Sequence, residues 1–257
     1  MDLGLTGKTA LVTGGSRGLG RHTALALARE GCNVAICARG EDGLRQAVDE
    51  LQALGIKAVG VQADVTTEDG TAHLFSETTD ALGPIDVLVN NVGGSTGRDI
   101  DSADDEAWEH TLQLNLFSGI RLTRLCLPHM KESGWGRIIN ISSIFGREHG
   151  GGLTYMTAKA ALIAFSKHLA LEVAGTGVTV NTVAPGSIEF PGGGWERFQQ
   201  NNSPEVVQEF IRNNLPMGKF GWPEPVGAMV AFLASTHADL LTGTSINIDG
   251  GQSKSLI

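Results

Sequence analysis

Seven short runs rich in Val and Ile punctuate the sequence, at Thr9–Thr13, Asn33–Ala38, Ala58–Gln62, Val87–Asn90, Arg137–Ile141, Val178–Val183 and Ser245–Ile248, each bounded by Gly, Asp, Asn or Pro. Runs this short and this apolar read as strands buried on both faces. Between them lie longer segments with apolar residues at helical spacing, among them Leu19–Glu30, Leu44–Leu54, Ala107–Met130 and Met156–Ala174. A strand that is followed by a helix and then by a parallel neighbour needs a right-handed crossover, which lays the helix on a face of the sheet. The repeated alternation therefore predicts an α/β fold, a doubly wound seven-stranded parallel sheet with helices on both faces. No polar linker interrupts the rhythm, so residues 1–257 are expected to form a single domain. The one break is Phe190–Leu215, where Pro191 and Gly192–Gly194 precede a polar helix-like stretch; it reads as a substrate lid inserted at about 190–215.

Composition narrows the partners. Hydrophobic residues make up 41% of the chain and charged residues 18%, the balance of an ordinary globular protein. The formal charge of −9 is spread without a basic stripe, which argues against nucleic acid or an anionic membrane and points to a small-molecule partner. Cys32, Cys37 and Cys126 form no CxxC pair and are odd in number, so neither a disulfide nor a metal site is expected. The first eight residues lack the basic and apolar regions of a signal peptide, and no apolar run approaches the roughly 18 residues of a membrane span. These features predict a cytoplasmic protein with reduced thiols.

The first strand leads into Thr13-Gly14-Gly15-Ser16-Arg17-Gly18-Leu19-Gly20 and then into an alanine-rich helical segment. In a Rossmann unit this is where a pyrophosphate sits: glycines let backbone N–H groups approach the anion, and the helix N-terminus adds partial positive charge. The spacing is GxxxGxG and not GxGxxG, so the general dinucleotide motif is matched in kind only. Gly14–Gly18 also fits a GxSxG elbow with Ser16 as a hydrolase nucleophile, but an elbow serine normally follows several strands and Ser16 follows the first. Gly7-Lys8-Thr9 resembles the end of a P-loop, which would need a glycine where Asp2 stands. After the second strand an NAD site would carry a carboxylate for the ribose hydroxyls; here the chain reads Cys37-Ala38-Arg39-Gly40. Arg39 and Arg17 can instead neutralise a 2′-phosphate, so NADP(H) is the expected cofactor, the alternative being that both arginines are solvated surface residues.

Tyr155 is the only tyrosine, and Lys159 follows it by four positions within a helical segment, which puts both side chains on one helix face. A phenol with a pKa of about 10 is a poor base near neutrality, but an adjacent ammonium and an oxidised nicotinamide would both favour its phenolate. Tyr155 can then act as acid or base. The strand Arg137–Ile141 ends in Ser142-Ser143, where a hydroxyl can donate to a substrate carbonyl.

Together, Thr13–Gly20, Asp64-Val65, Asn90-Asn91-Val92-Gly93, Asn115, Ser142/Ser143, Tyr155–Lys159, Asn181, Pro185-Gly186 and the tail Thr242-Gly243 to Asp249-Gly250-Gly251 resemble the short-chain dehydrogenase/reductase family, in order and over nearly the whole chain. The resemblance implies a catalytic set of Asn115, Ser143, Tyr155 and Lys159, with Ser142 as the alternative to Ser143. A spacing of thirteen residues before Tyr155 points to Ser142, whereas the pattern Ser-Ser-apolar-x-Gly favours Ser143. The resemblance also implies a cofactor site. Gly14, Ser16, Arg17, Gly18, Leu19 and Gly20 would hold the pyrophosphate end with Arg39 beside them, Asp64 and Val65 the adenine, and Asn91 the adenosine-side ribose region. Lys159 would hold the nicotinamide ribose and lower the pKa of Tyr155, Pro185, Gly186 and Ile188 would line the nicotinamide amide, and Asn115 would hold a water linking Lys159 to solvent. Two departures stand out: Val92 adds bulk beside the cofactor, and Ser187–Phe190 lacks the threonine often found after Pro-Gly, which frees Phe190 to wall the substrate pocket.

Within that family the chain looks most like 3-oxoacyl-[acyl-carrier-protein] reductases, which implies a carbonyl or alcohol substrate, a 3-oxoacyl thioester first, with a sugar, cyclic alcohol or xenobiotic diol as alternatives. An acidic carrier protein would want a basic patch, for which Arg121, Arg124, Lys131 and Arg137 are candidates. The pocket would be bounded by Ile144–Thr154 and Phe190–Leu215. In the first, Glu148 and His149 suggest a partly polar mouth; in the second, Trp195, Phe198 and Phe210 either cap an apolar ligand or form the core side of a lid helix. The tail Leu240–Ile257 resembles the family's oligomer-forming end, implying a homotetramer or homodimer. A non-catalytic NADP(H) sensor on the same fold is the alternative from another class.

Overall fold

The computed structural model describes residues 1–256; Ile257, the last residue of the expected oligomer-forming tail, lies outside the described residues. All seven expected strands form: β1 (Thr9–Thr13), β2 (Asn33–Ala38), β3 (Ala58–Gln62), β4 (Val87–Asn90), β5 (Gly136–Ile141), β6 (Val178–Pro185) and β7 (Ser245–Ile248). They pair in parallel throughout, in the order β3-β2-β1-β4-β5-β6-β7. The helices in chain order are α1 (Gly18–Arg29), α2 (Glu41–Gln52), α3 (Glu68–Leu82), α4 (Asp105–Leu112), α5 (Ser118–Ser133), α6 (Leu153–Glu172), α7 (Gly194–Asn201), α8 (Pro204–Asn214) and α9 (Glu224–Ala234). None of the described helices is long and apolar enough to cross a membrane.

Successive strand side chains point to opposite faces, and here both faces are covered. Val12, Ile36 and Val89 pack with Leu27 of α1, Leu44 of α2 and Val230 of α9, while Leu11, Cys37 and Leu88 pack with Leu74 of α3, Leu122 of α5 and Leu169 of α6. This two-sided burial is why the strands read as unbroken apolar runs. Each fully buried aliphatic side chain contributes about 1.5–3 kcal/mol. Connections diverge from β1 toward β2 and, after β3, toward β4, so the carboxyl ends of β1 and β4 open the crevice at which such sheets bind ligands.

Two expectations need correction. Ala107–Met130 is not one regular helix: α4 and α5 are separated by a wider turn over Gln113–Phe117 with π-type bonding. Asn115 lies in that turn, and its Nδ2 donates to Thr111 O at 2.8 Å, taking a carbonyl that the regular backbone ladder would use. Arg137, a candidate for a basic surface patch, is buried to 1% exposure. Its guanidinium pairs with Asp239, donates to Gly136 O at 2.9 Å and lies 4.2 Å from the centre of the Trp135 ring. Burial pushes its pKa down, with the Asp239 carboxylate opposing. Arg137 is the second residue of β5, which lies between β4 and β6, and its side chain is packed among neighbours at the amino end of the sheet.

The segment at 190–215 forms α7 and α8, which build a satellite core of their own. Trp195 lies 4.9 Å from Phe210, and Phe210 stacks at 5.8 Å on Phe220, with Val207 and Leu215 buried beneath. This cluster is separate from the two sheet layers. Deleting a sheet side chain and deleting a satellite side chain should therefore have different consequences. Leu88→Ala, in the centre of β4, is expected to lower the global unfolding free energy by about 2–5 kcal/mol in urea titrations. Phe210→Ala is expected to leave the global transition within about 1 kcal/mol while markedly raising amide exchange across residues 194–214.

Candidate active site

A cleft of about 750 Å³ runs along the carboxyl ends of the strands, from Arg39 and Asp64 to Ser143, Tyr155 and Trp195. At its first end the chain leaves β1 through Gly14, whose φ of +66° favours glycine, and enters α1. Arg17 precedes α1 with no side-chain cap, and the first turn carries no acidic residue, so backbone N–H groups there remain available to an anion. The loop is held from below: Thr13 Oγ1 accepts from Asn91 N at 2.9 Å and Val92 N at 3.1 Å, and Asn91 Nδ2 donates to Thr13 O at 2.8 Å. Gly20 is needed because a Cβ there would lie 2.5 Å from that Asn91 Nδ2.

The predicted cofactor residues distribute unevenly over this frame. Gly14, Ser16, Arg17, Leu19, Gly20, Arg39, Asp64, Val65, Asn91, Pro185, Gly186 and Ile188 all line the cleft. Gly18 does not line it; the Phe190 ring covers it, and a Cβ at Gly18 would lie 2.5 Å from Phe190 Cε2. Asn91 spends its amide on the glycine loop. Arg17 and Arg39 are exposed, Arg17 Nη1 donating to Gly192 O at 3.4 Å. Asp64 Oδ1 accepts from Thr66 N at 3.0 Å and Thr66 Oγ1 at 2.7 Å, and these bonds, with Arg39 nearby, hold its pKa below the usual carboxylate value.

At the other end, Tyr155 stands in the first turn of α6 with Lys159 one turn further on. Lys159 is buried at 2% exposure, its Nζ donating to Ile141 O at 2.8 Å and lying 5.6 Å from the centre of the Tyr155 ring. The two serines separate by orientation. Ser142 Oγ donates to Lys159 O at 3.0 Å and so ties β5 to α6, whereas Ser143 Oγ accepts from Phe145 N at 3.2 Å and faces the Tyr155 phenol, whose charged form it favours. Asn115 lies outside the cleft wall and reaches it through Gly94, with Nδ2 donating to Gly94 O at 2.6 Å and Oδ1 accepting from Gly94 N at 3.3 Å. Gly93 fills the space between: a Cβ there would meet Asn115 Oδ1 and Lys159 Nζ, each at 3.0 Å.

The electrostatics depart from the expectation that Lys159 lowers the pKa of Tyr155. Burial pushes the phenol up, with the Ser143 hydrogen bond only partly opposing, and burial pushes Lys159 down to about 7. A desolvated amine with so low a pKa carries its charge only part of the time near neutrality, which weakens it as a source of positive potential beside the phenol.

The polar mouth expected from Glu148 and His149 is absent from the cleft lining. Glu148 Oε2 accepts from Ser253 Oγ and Lys254 N, and His149 is exposed. Of the three aromatic residues singled out in the insertion, only Trp195 lines the cleft; Phe198 and Phe210 pack against it from the satellite core. Leu114, Gly43 and Ala63 also line the cleft, and nothing in the sequence marks them, since apolar and small residues carry no chemical signal until the fold places them.

Comparison with known proteins agrees with this geometry. The short chain dehydrogenase family matches residues 8–201. The chain is 37% identical over 253 residues to the 3-oxoacyl-[acyl-carrier-protein] reductase FabG of Aquifex aeolicus, covering 98% of this chain and 99% of that one. The solved structure of L-sorbose reductase from Gluconobacter frateurii, complexed with NADPH and L-sorbose, superposes with a TM-score of 0.93 at 32% identity, covering all of both chains. A single-residue variant of actinorhodin polyketide ketoreductase, with NADPH, superposes with a TM-score of 0.90 at 36% identity, covering 96% of this chain and 98% of that one. With a Tyr155–Lys159 pair and a glycine-rich loop facing one crevice of a seven-stranded parallel sheet, and with likeness spanning nearly the full length, the chain belongs to the short-chain dehydrogenase family of oxidoreductases.

Proposed function

We propose that the protein is an NADP(H)-dependent oxidoreductase that interconverts a ketone and a secondary alcohol, with Ser143, Tyr155 and Lys159 as catalytic residues. The observation that carries this reading is the convergence of Tyr155, Ser143 and Lys159 on the cleft that also holds the uncapped start of α1. The residues present fit the dinucleotide: an open glycine cradle, unspent backbone donors, and two exposed arginines with no carboxylate at the end of β2. Gly14–Gly20 would hold the pyrophosphate, Arg17 and Arg39 the 2′-phosphate, and Asp64 and Val65 the adenine. Asn91 would fix the glycine loop beside the ribose, and Pro185, Gly186 and Ile188 would receive the nicotinamide amide. When bound, the cofactor supplies or accepts the hydride.

The chain's own residues handle the oxygen and the proton. Ser143 holds the substrate oxygen by donating a hydrogen bond, and Tyr155 gives that oxygen a proton from its hydroxyl in reduction and, as the phenolate, takes one from it in oxidation. Lys159 would hold ribose hydroxyls and, once charged, favour the phenolate of Tyr155. Asn115, through Gly94 and Gly93, keeps the wall beside Lys159 in place and holds a water route for its proton.

For the substrate, the similarity to 3-oxoacyl-[acyl-carrier-protein] and polyketide ketoreductases supports a 3-oxoacyl thioester. Val92, Leu114, Phe190 and Trp195 line the cleft and suit an acyl chain. The L-sorbose reductase likeness favours a keto-sugar as the second reading. The edge position of β7 and the exposed Leu240 support a homodimer or homotetramer, and the three buried free thiols a cytoplasmic location.

NADPH-oxidation assays across acetoacetyl thioesters, cyclic ketones and keto-sugars test the reading; NADPH binding with no turnover in any class would make the protein a sensor. Tyr155→Phe is expected to lower kcat by about 100- to 10,000-fold while the NADPH Kd changes little. Arg39→Ala should raise the KM for NADPH about 10- to 100-fold and leave that for NADH unchanged, since a lost charge-assisted bond is worth about 1.5–3 kcal/mol. Lys159 gives a pH signature. Its folded pKa of about 7 lies below the ordinary 10.5, so between those values the unfolded chain binds the extra proton and the native protein gains stability as pH rises. Without cofactor, Lys159→Met should exceed the wild type in Tm at about pH 6, with the gap narrowing toward about pH 9.5; a gap constant with pH would refute the desolvation of Lys159.

A further inference from the structure

Beyond β7 the chain does not simply trail off. Asp249 folds it back, accepting from Gly251 N at 2.9 Å and Ser253 N at 2.8 Å. The turn brings Gln252 Oε1 to 2.7 Å from Ser187 N, whose hydrogen bond it accepts, and so close to the main chain that a Cβ on Gly186 would lie 2.7 Å from it. Just beyond, Ser253 Oγ and Lys254 N donate to Glu148 Oε2 at 3.0 and 2.8 Å. Glu148 belongs to the segment that follows Ser143, and Ser187 to the segment that follows Pro185 and Gly186. One short tail therefore ties the segment between Ser143 and Tyr155 to the segment that follows β6, and residues at the edges of both line the cleft.

We propose that Gln252 is a positioning residue and that Asp249–Lys254 is a clasp fixing these two segments to each other. The segment after β6 is fixed by directional bonds: Gly186 N donates to Ile248 O at 3.1 Å, Gly221 N to Ser187 O at 2.9 Å, and Glu189 N to Gly221 O at 2.9 Å. The Ile188–Gly221 bridge leaves the N–H and C=O of Ile188 itself turned away from Gly221. Ser187 N is the remaining donor at the start of that segment, and Gln252 supplies its acceptor. Without it the Ser187 N–H loses its acceptor, and the start of the segment that carries Ile188, which lines the cleft, is held less tightly. Misplacement by about 1 Å is enough to cost about 100-fold where reacting groups must meet. The consequence for turnover rests on the oxidoreductase reading, but the clasp itself does not.

Amide hydrogen exchange on the ligand-free protein, together with NADPH binding read by nicotinamide fluorescence, tests the clasp. Gln252→Leu is expected to raise exchange roughly 10-fold in residues 186–190 and, through the tail, in residues 144–154, and to weaken NADPH binding roughly 10-fold. Gln252→Glu keeps an acceptor oxygen and should restore both. Wild-type exchange at 144–154 in Gln252→Leu, or an equal defect in Gln252→Glu, would overturn the proposal. Should Gln252→Leu fail to fold, Glu148→Ala reads the clasp from its other end: it must raise exchange at 186–190, and unchanged protection there counts against the clasp. Exchange needs neither cofactor nor carbonyl. A protein without turnover would thus refute the oxidoreductase reading while leaving the clasp standing.

Discussion

A buried amine with a backbone carbonyl as its hydrogen-bond partner, and no paired carboxylate among the described residues, is the constraint on which the site depends. Taking an ammonium out of water is costly, and proteins meet the cost by pairing the charge or by letting the group shed its proton. Lys159 donates to Ile141 O, and its pKa falls to about 7. With one of its three N–H donors on Ile141 O, the amine lines the cleft beside Tyr155. Burial likewise pushes the neighbouring Tyr155 phenol up, with Ser143 opposing.

The same lysine locks two elements together. Its Nζ holds the end of β5 while its backbone carbonyl accepts from Ser142 Oγ, and deeper in the interface Asn140 Nδ2 of β5 donates to Ser166 Oγ of α6 at 2.8 Å. Ser143 and Tyr155 sit on either side of this joint, so their mutual geometry is set by buried bonds and not by the surface loops between them. The glycine loop obeys a parallel logic: Thr13 and Asn91 use their polar atoms to hold it from beneath, leaving the backbone donors of α1 for a ligand.

Away from the sheet the cleft is closed by parts with weaker ties to the main core. The 190–215 insertion depends on its own aromatic cluster, and it touches the glycine loop where Phe190 lies on Gly18 and Arg17 on Gly192 O. The carboxyl-terminal tail provides a second connection, from the segment after Ser143 to the segment after Pro185. The Ser143–Tyr155 end of the cleft thus rests on a rigid frame, while the shape of its outer rim is left to elements that can vary independently.

The strands were legible from the sequence because burial on both faces leaves a local mark, an apolar run with turn residues at each end. Glycine spacing at Thr13–Gly20 and the four-residue step from Tyr155 to Lys159 were legible for the same reason: helix geometry and close backbone approach act over a few residues. Long-range placement left no such mark. Ser142 and Ser143 are chemically identical, and only the docking of α6 turned one toward a backbone carbonyl and the other toward the phenol. Arg137 read as a surface charge until the central position of β5 buried it, and Glu148 read as pocket polarity until the tail claimed its carboxylate. Side-chain direction and desolvation are properties of neighbours brought together by folding, often about a hundred residues apart, as between Glu148 and Ser253, and so the tertiary structure alone decided them.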